Sequence, residues 1–184
     1  MVSRVTTATT IGLNAYKLDV ETDFVHSLPN ISIVGLPDTA VNEAKERVRS
    51  AVKNSGFTFP ALRVVVNLAP ADIKKEGTNF DLPIAVGILA EGGFVDNEKL
   101  KDVAFLGELS LDGALRGING VLPLVSGLQE FGIKTVVVPL INAKEAALVE
   151  GIEALGAEYL ADVVNHFGEN SDYKLSKTVV NIAE

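Results

Sequence analysis

Residues 63–68 read RVVVNL, a run that places apolar side chains on both faces if it is extended. A strand of that kind has to be covered on two sides, which puts it in the middle of a sheet with helices against each face. The neighbouring segments alternate as such an architecture requires. Between 5 and 36, VTTATTI, AYKLDVETDF and ISIVGL are separated by the turn signals Gly12-Leu13-Asn14 and Leu28-Pro29-Asn30, and read as three short strands joined in a meander. Val41, Ala44, Val48, Ala51 and Val52 share one helical stripe, so a helix is expected over 38–55, with Asp38 in its first turn and Gly56 at its stop.

After the central strand, the loop APADIKKEGTNFD leads into DLPIAVGILA, a second helix. Asp81 is its expected cap, and Gly87 inside it points to a close backbone approach. The rest of the chain predicts a strand at 103–109 with a short partner at 114–116. A largely buried helix follows at 119–131, counting Leu122 and Phe131 among its apolar positions, and then a strand at 135–139. Asn142 begins a capping-box pattern for a short helix toward Gly151, followed by a strand at 152–156 and a last helix at 160–167. The fold class is α/β (α+β), a mixed sheet backed by helices, antiparallel at the start and parallel later. One domain is expected over 1–168, with 169–184 as a polar tail or linker.

The chain has 184 residues and 24 acidic against 16 basic side chains, a net charge of −8. That balance argues against coating nucleic acid with the whole surface, and leaves room for a local basic stripe. Lys45, Arg49 and Lys53 recur at helical spacing opposite the apolar stripe, and Lys74 and Lys75 form a second basic point on a loop. These five are the candidates for contact with DNA or a partner; the same residues also serve as an ordinary solvated surface, diluted by Glu43, Glu46, Asp72 and Glu76. Cysteine is absent, which removes thiol catalysis and Cys-ligated zinc. His26 and His166 are far apart and no metal is expected; Glu108 and Asp112 flank a turn and read as turn chemistry. No apolar run is long enough to span a bilayer, so no membrane contact is expected and the location is expected to be cytoplasmic.

Three stretches carry a resemblance. ISIVGLPDTAVNEAKERVRSAVKNSGFTFP at 31–60, NLAPADIKKEGTNFDLPIAVGILA at 67–90, and FLGELSLDGALRGINGVLP followed by GIKTVVVP resemble the N-terminal domain of the magnesium-chelatase-like AAA+ ATPases, the ComM/YifB family, in order over about residues 4–168. The resemblance implies the fold of the second domain of the small-subunit ribosomal protein five, shared with the Lon protease domain and the C-terminal domain of RadA. It further implies that a AAA+ motor follows as the partner of this domain, that ATP and Mg belong to that motor, and that the whole acts in DNA processing or competence. This chain has no GxxxxGK[ST], so it is expected to hold no cofactor itself.

The Lon likeness raises the question of a serine–lysine dyad, which needs a nucleophilic Ser and a Lys base. Aligning KEGTNFDLP with the Lon pattern KDGPSAG puts Asn79 at the nucleophile position, and an amide does not attack. The later segment puts Leu122 and Leu124 where Lon has the two lysines of GGLKEK. Both halves of the dyad are missing, so the chain is expected not to be an enzyme. The leading reading is a non-catalytic accessory domain that supports DNA or partner engagement and motor assembly. The alternatives are a protease with a displaced dyad, drawing on Ser110 or Ser126 with Lys74 or Lys75, and a purely structural oligomerisation domain forming a homo-oligomer.

Overall fold

The computed structural model describes residues 2–169 and 173–180. β1 (Ser3–Ile11) and β2 (Asn14–Val25) form a hairpin across Gly12 and Leu13, with Gly12 at φ 62° as a tight two-residue turn requires. The remaining strands are β3 (Asn30–Val34), β4 (Arg63–Ala69), β5 (Val103–Phe105), β6 (Glu108–Leu109), β7 (Leu115–Arg116), β8 (Thr135–Pro139) and β9 (Glu153–Ala157). The helices are α1 (Thr39–Asn42), α2 (Ala44–Asn54), α3 (Asp81–Glu91), α4 (Val121–Glu130), α5 (Ala143–Ala146) and α6 (Leu160–Phe167).

Seven strands make one sheet in the order β3-β4-β2-β1-β5-β8-β9, and β6 pairs with β7 separately. β2 alone runs against the others, which are mutually parallel. The mixed α/β architecture is therefore as expected, but the meander is not: β4 inserts between β2 and β3. β2 is long enough to pair with β1 along its first part and with β4 from Asp19 onward. β3 docks parallel to β4, with Ile31 opposite Val64 and Ile33 opposite Val66, so both pairs face one core. Gly35 ends β3 at φ 104°, and a Cβ there would lie 2.2 Å from the Leu68 carbonyl oxygen, so only glycine permits this approach.

Side chains alternate between two cores. Val5, Phe105, Val137 and Leu155 join α2, α3 and α6 on one face; Ala8, Ala104, Val136, Val138 and Ala154 join α4 and α5 on the other. The second core contains no residue of β2, β3 or β4, so it covers only part of the sheet. This corrects the expectation for 63–68: Val64, Val66 and Leu68 are buried, whereas Val65 and Asn67 are half-exposed. β5, buried at Val103, Ala104 and Phe105, and β8, buried from Val136 to Pro139, are covered on both faces.

Several local expectations need correction. The 38–55 helix is interrupted at Glu43, with the Asp38 carboxylate accepting from Val41 N at 2.8 Å as the cap of α1. Asp81 does not cap α3; it is buried and paired with Arg47, and Phe80 takes the cap position without a side-chain bond. Asn142 does not cap α5 either, because its side chain grips Ile118 from both sides of the peptide. Leu122 on α4 and Phe131, just past its end, face solvent. Part of the expected tail is docked: Lys177 bridges to Leu155, Thr178 N donates to Ala154 O at 2.9 Å, and Leu175 is buried. Gly87 does sit at a close approach, since a Cβ there would lie 2.6 Å from Thr22 Oγ1 on the sheet.

Candidate functional site

The carboxyl ends of parallel strands are where open α/β sheets present their ligand sites, because loops converge there around a rigid base. Here that end of the molecule carries a cleft of about 420 Å³, lined by Thr9 and Thr10 of β1 and by two loops.

One wall is the segment before α3. It is laid against the loop after β3 by paired backbone bonds, Lys75 N to Leu36 O and Asp38 N to Lys75 O, both at 2.9 Å. Gly77, at φ 94°, turns the chain so that Thr78 and Asn79 meet the cleft. Asn79 Nδ2 donates to the Ala8 carbonyl at 3.1 Å, and Thr78 Oγ1 lies 3.3 Å from the Glu108 carboxylate. The opposite wall is the loop of Ile118, Asn119 and Gly120 that opens α4. Asn142 pins it, accepting from Ile118 N at 2.9 Å and donating to Ile118 O at 3.0 Å. Leu124, one turn into α4, is buried at the cleft floor, whereas Leu122 turns outward. Of the three positions the Lon likeness singles out, Asn79 and Leu124 thus border one cleft and Leu122 does not.

Behind Asn79, Asp81 is fully buried. Arg47 Nε reaches its Oδ2 at 2.7 Å and Nη2 its Oδ1 at 3.0 Å, while Leu109 N donates to Oδ2 at 3.0 Å. Arg47 also donates to the Ala40 carbonyl at 3.1 Å, so one guanidinium joins α1, α2 and α3. Burial pushes the Asp81 carboxyl above its ordinary range, opposed by the Arg47 and Leu109 bonds; the bond to Asp81 raises Arg47. Sequence reading missed Arg47, although it shares a helical face with Ala44, Val48 and Ala51, all buried, and so could not point freely into water.

The five basic candidates do not form one patch. Lys53 is exposed on α2, Lys45 is half-buried, and Arg49 pairs with Glu46 at 3.4 Å and lies 5.6 Å from the centre of the Phe59 ring. Lys74 is exposed and 3.5 Å from Glu76. Lys75, expected on the surface beside it, is fully buried, with its ammonium donating to the Pro70 carbonyl and burial lowering its pKa. It has no access to an external phosphate. The charged residues lining the cleft are Asp38 and Glu76, so the cleft does not fit a nucleotide phosphate. Among the described residues, no group of three or more His, Cys, Asp or Glu is placed to hold a metal ion, and no helix is long and apolar enough to cross a membrane. Asp112 closes its own turn, accepting from Ser110 and from Ala114 N, and is separate from Glu108.

Residues 20–142 match the family described as subunit ChlI of Mg-chelatase. The chain is 41% identical over 170 residues to the competence protein ComM of Haemophilus influenzae, covering 92% of this chain and 33% of that protein. It is 42% identical over 161 residues to the uncharacterized protein YifB of Escherichia coli, covering 88% of this chain and 32% of that one. Lon protease 2 of Bacillus subtilis is a weaker relative, 26% identical over 122 residues, covering 65% of this chain and 21% of the protease. The chain belongs to the magnesium-chelatase-like ComM/YifB family. It spans about a third of the length of the ComM and YifB proteins it matches.

Proposed function

We propose that this chain is a non-catalytic accessory domain of a ComM/YifB-type protein, engaging a partner rather than cutting one. The observation that carries this reading is the cleft where the Lon likeness places a dyad. Its two bordering positions are Asn79, whose amide is bonded to the Ala8 carbonyl, and Leu124, which is buried and has no basic atom. Neither supplies a nucleophile or a base. Of the displaced candidates Ser110, Ser126, Lys74 and Lys75, three are engaged elsewhere: Lys75 is turned to Pro70, Lys74 lies beside Glu76, and Ser110 donates to Asp112.

In the longer protein, a AAA+ motor binding ATP and Mg follows this domain, the assembly is a cytoplasmic homo-oligomer, and its work is DNA processing of the kind the ComM relative's name associates with competence. Lys45, Arg49 and Lys53 contact DNA along α2, and Lys74 gives a separate point. The test is a pair of measurements on the chain. A serine-reactive fluorophosphonate and casein should give no labelling and no cleavage; labelling of any serine sinks the non-catalytic reading. Fluorescence anisotropy with single-stranded and branched DNA should show salt-dependent binding. Binding that survives charge reversal of Lys45, Arg49 and Lys53 together removes α2 as the DNA face.

A further inference from the structure

β1 extends beyond the strand that flanks it. Ile11 and Asn14 close a two-residue hairpin, so the odd-numbered residues of β1 turn their backbone groups toward β2 and the even-numbered ones turn away. On that far side β5 pairs with β1 at Thr6 alone. At Ala8 the side-chain amide of Asn79 takes the carbonyl that a neighbouring strand would otherwise meet. Thr10, the next even residue, is exposed at the cleft with its N–H and C=O directed the same way and, among the described residues, no strand alongside. A bare strand edge beside a groove is the geometry by which an extended polypeptide adds to a sheet.

The lining selects the polypeptide. Its charged side chains are Asp38, which also caps α1, and Glu76, which is exposed 3.5 Å from Lys74, and Glu108 stands behind Thr78. Hydroxyls of Thr9, Thr10 and Thr78 and the apolar Ile118 and Leu124 make up much of the remainder. A phosphate backbone would meet carboxylates here, whereas lysine or arginine side chains would meet complementary charge. An added strand shows every second side chain to the same wall. We propose that the cleft binds an extended polypeptide segment with basic residues at alternate positions, added as a strand to the β1 edge at Thr10. This rests on the non-catalytic reading above, because the bound segment must persist uncut.

The test uses a fluorescein-labelled octapeptide of alternating Lys and Val, with an alternating Glu-Val octapeptide and an oligothymidylate as competitors, read by fluorescence polarisation. Thr10→Pro removes the edge N–H without costing a bond to β2, and should weaken Lys-Val binding by about tenfold or more. Thr10→Ser should bind as the parent does. Glu76→Lys reverses an exposed charge, so it tests the electrostatics even if Thr10→Pro fails to fold; it should weaken binding by about fivefold. Neither competitor should displace the Lys-Val peptide. The proposal is overturned if the Lys-Val peptide does not bind at millimolar concentration, if a folded Thr10→Pro and Glu76→Lys both bind unchanged, or if oligothymidylate displaces the peptide. Mass spectrometry of the recovered peptide separates the two claims: cleavage overturns the non-catalytic reading, and an intact peptide bound without dependence on Thr10 or Glu76 overturns only this one.

Discussion

Asn79 and Asp81 stand two residues apart at the start of α3 and live in opposite surroundings. Asp81 is fully buried, its carboxylate held by two bonds from Arg47 and one from Leu109 N. Asn79 is half-buried, makes one side-chain bond to Ala8, and borders open space. Asn79 lies in the turn before the cap residue Phe80, whereas Asp81 is the first residue of the helix, so the two polar side chains are sent to different surroundings. The inward side fixes where α3 begins, and the cleft side can therefore stay open without loosening the helix. The contrast is broken most severely at Arg47. Arg47→Leu leaves Asp81 buried without its cation and should lower unfolding free energy by about 3–5 kcal/mol in urea denaturation. Adding Asp81→Leu should recover part of that loss, since the stranded charge is gone. A loss below about 1 kcal/mol for Arg47→Leu would mean that the ion pair does not fix the helix start.

The two residues also differ in how legible they were. Local signals are read well from sequence: the last helix falls at Leu160–Phe167 and the strand at Thr135–Pro139 as the patterns indicate. Gly87 announced its close approach to Thr22 because a helix interior tolerates glycine poorly without a packing reason. What depended on partners distant in the chain was missed. Asp81 reads as a cap because carboxylates favour helix starts, and its true partner lies 34 positions away. Asn142 fits a capping box, yet its two bonds go to Ile118, 24 positions away. Insertion of β4 between β2 and β3 is likewise a tertiary choice, made by the length of β2 and the bare backbone of Gly35. Of the candidate site, the dyad positions could be aligned, but only the fold separates Leu124 at the cleft floor from Leu122 in solvent.

On the open side the same kind of truncation should cost much less. Asn79→Ala removes one donor from the Ala8 carbonyl, and water in the cleft can replace it, so a loss of about 1 kcal/mol is expected in the same denaturation assay. A loss approaching that of Arg47→Leu would show that the cleft side anchors α3 as firmly as the ion pair does, and the contrast would fail.

The smallest effect concerns a third polar group, intermediate between these two. His166 on α6 is half-buried, and its Nδ1 accepts from Leu175 N at 2.8 Å, tying down the segment that runs along β9. Burial lowers its pKa, helped by Lys174 and Lys99 and opposed by Glu153. A protonated imidazole has no acceptor at Nδ1, so protonation and docking compete. Because the docked state holds the lowered pKa, its stabilisation is complete above the ordinary imidazole value of about 6.5 and is lost as pH falls below it toward the docked value. Partial exposure keeps the effect below about 1 kcal/mol, and the Thr178 bond and the contact of Lys177 with Glu153 at 3.8 Å persist, so the global melt should scarcely move. Amide exchange at Leu175 should nonetheless accelerate as pH falls below about 6.5, beyond the intrinsic pH dependence of exchange, while the core amides of β8 stay protected. His166→Gln keeps an acceptor that does not titrate, and its Leu175 exchange should follow the intrinsic dependence alone. Identical corrected profiles for the parent and His166→Gln would show that the imidazole does not govern docking of this segment.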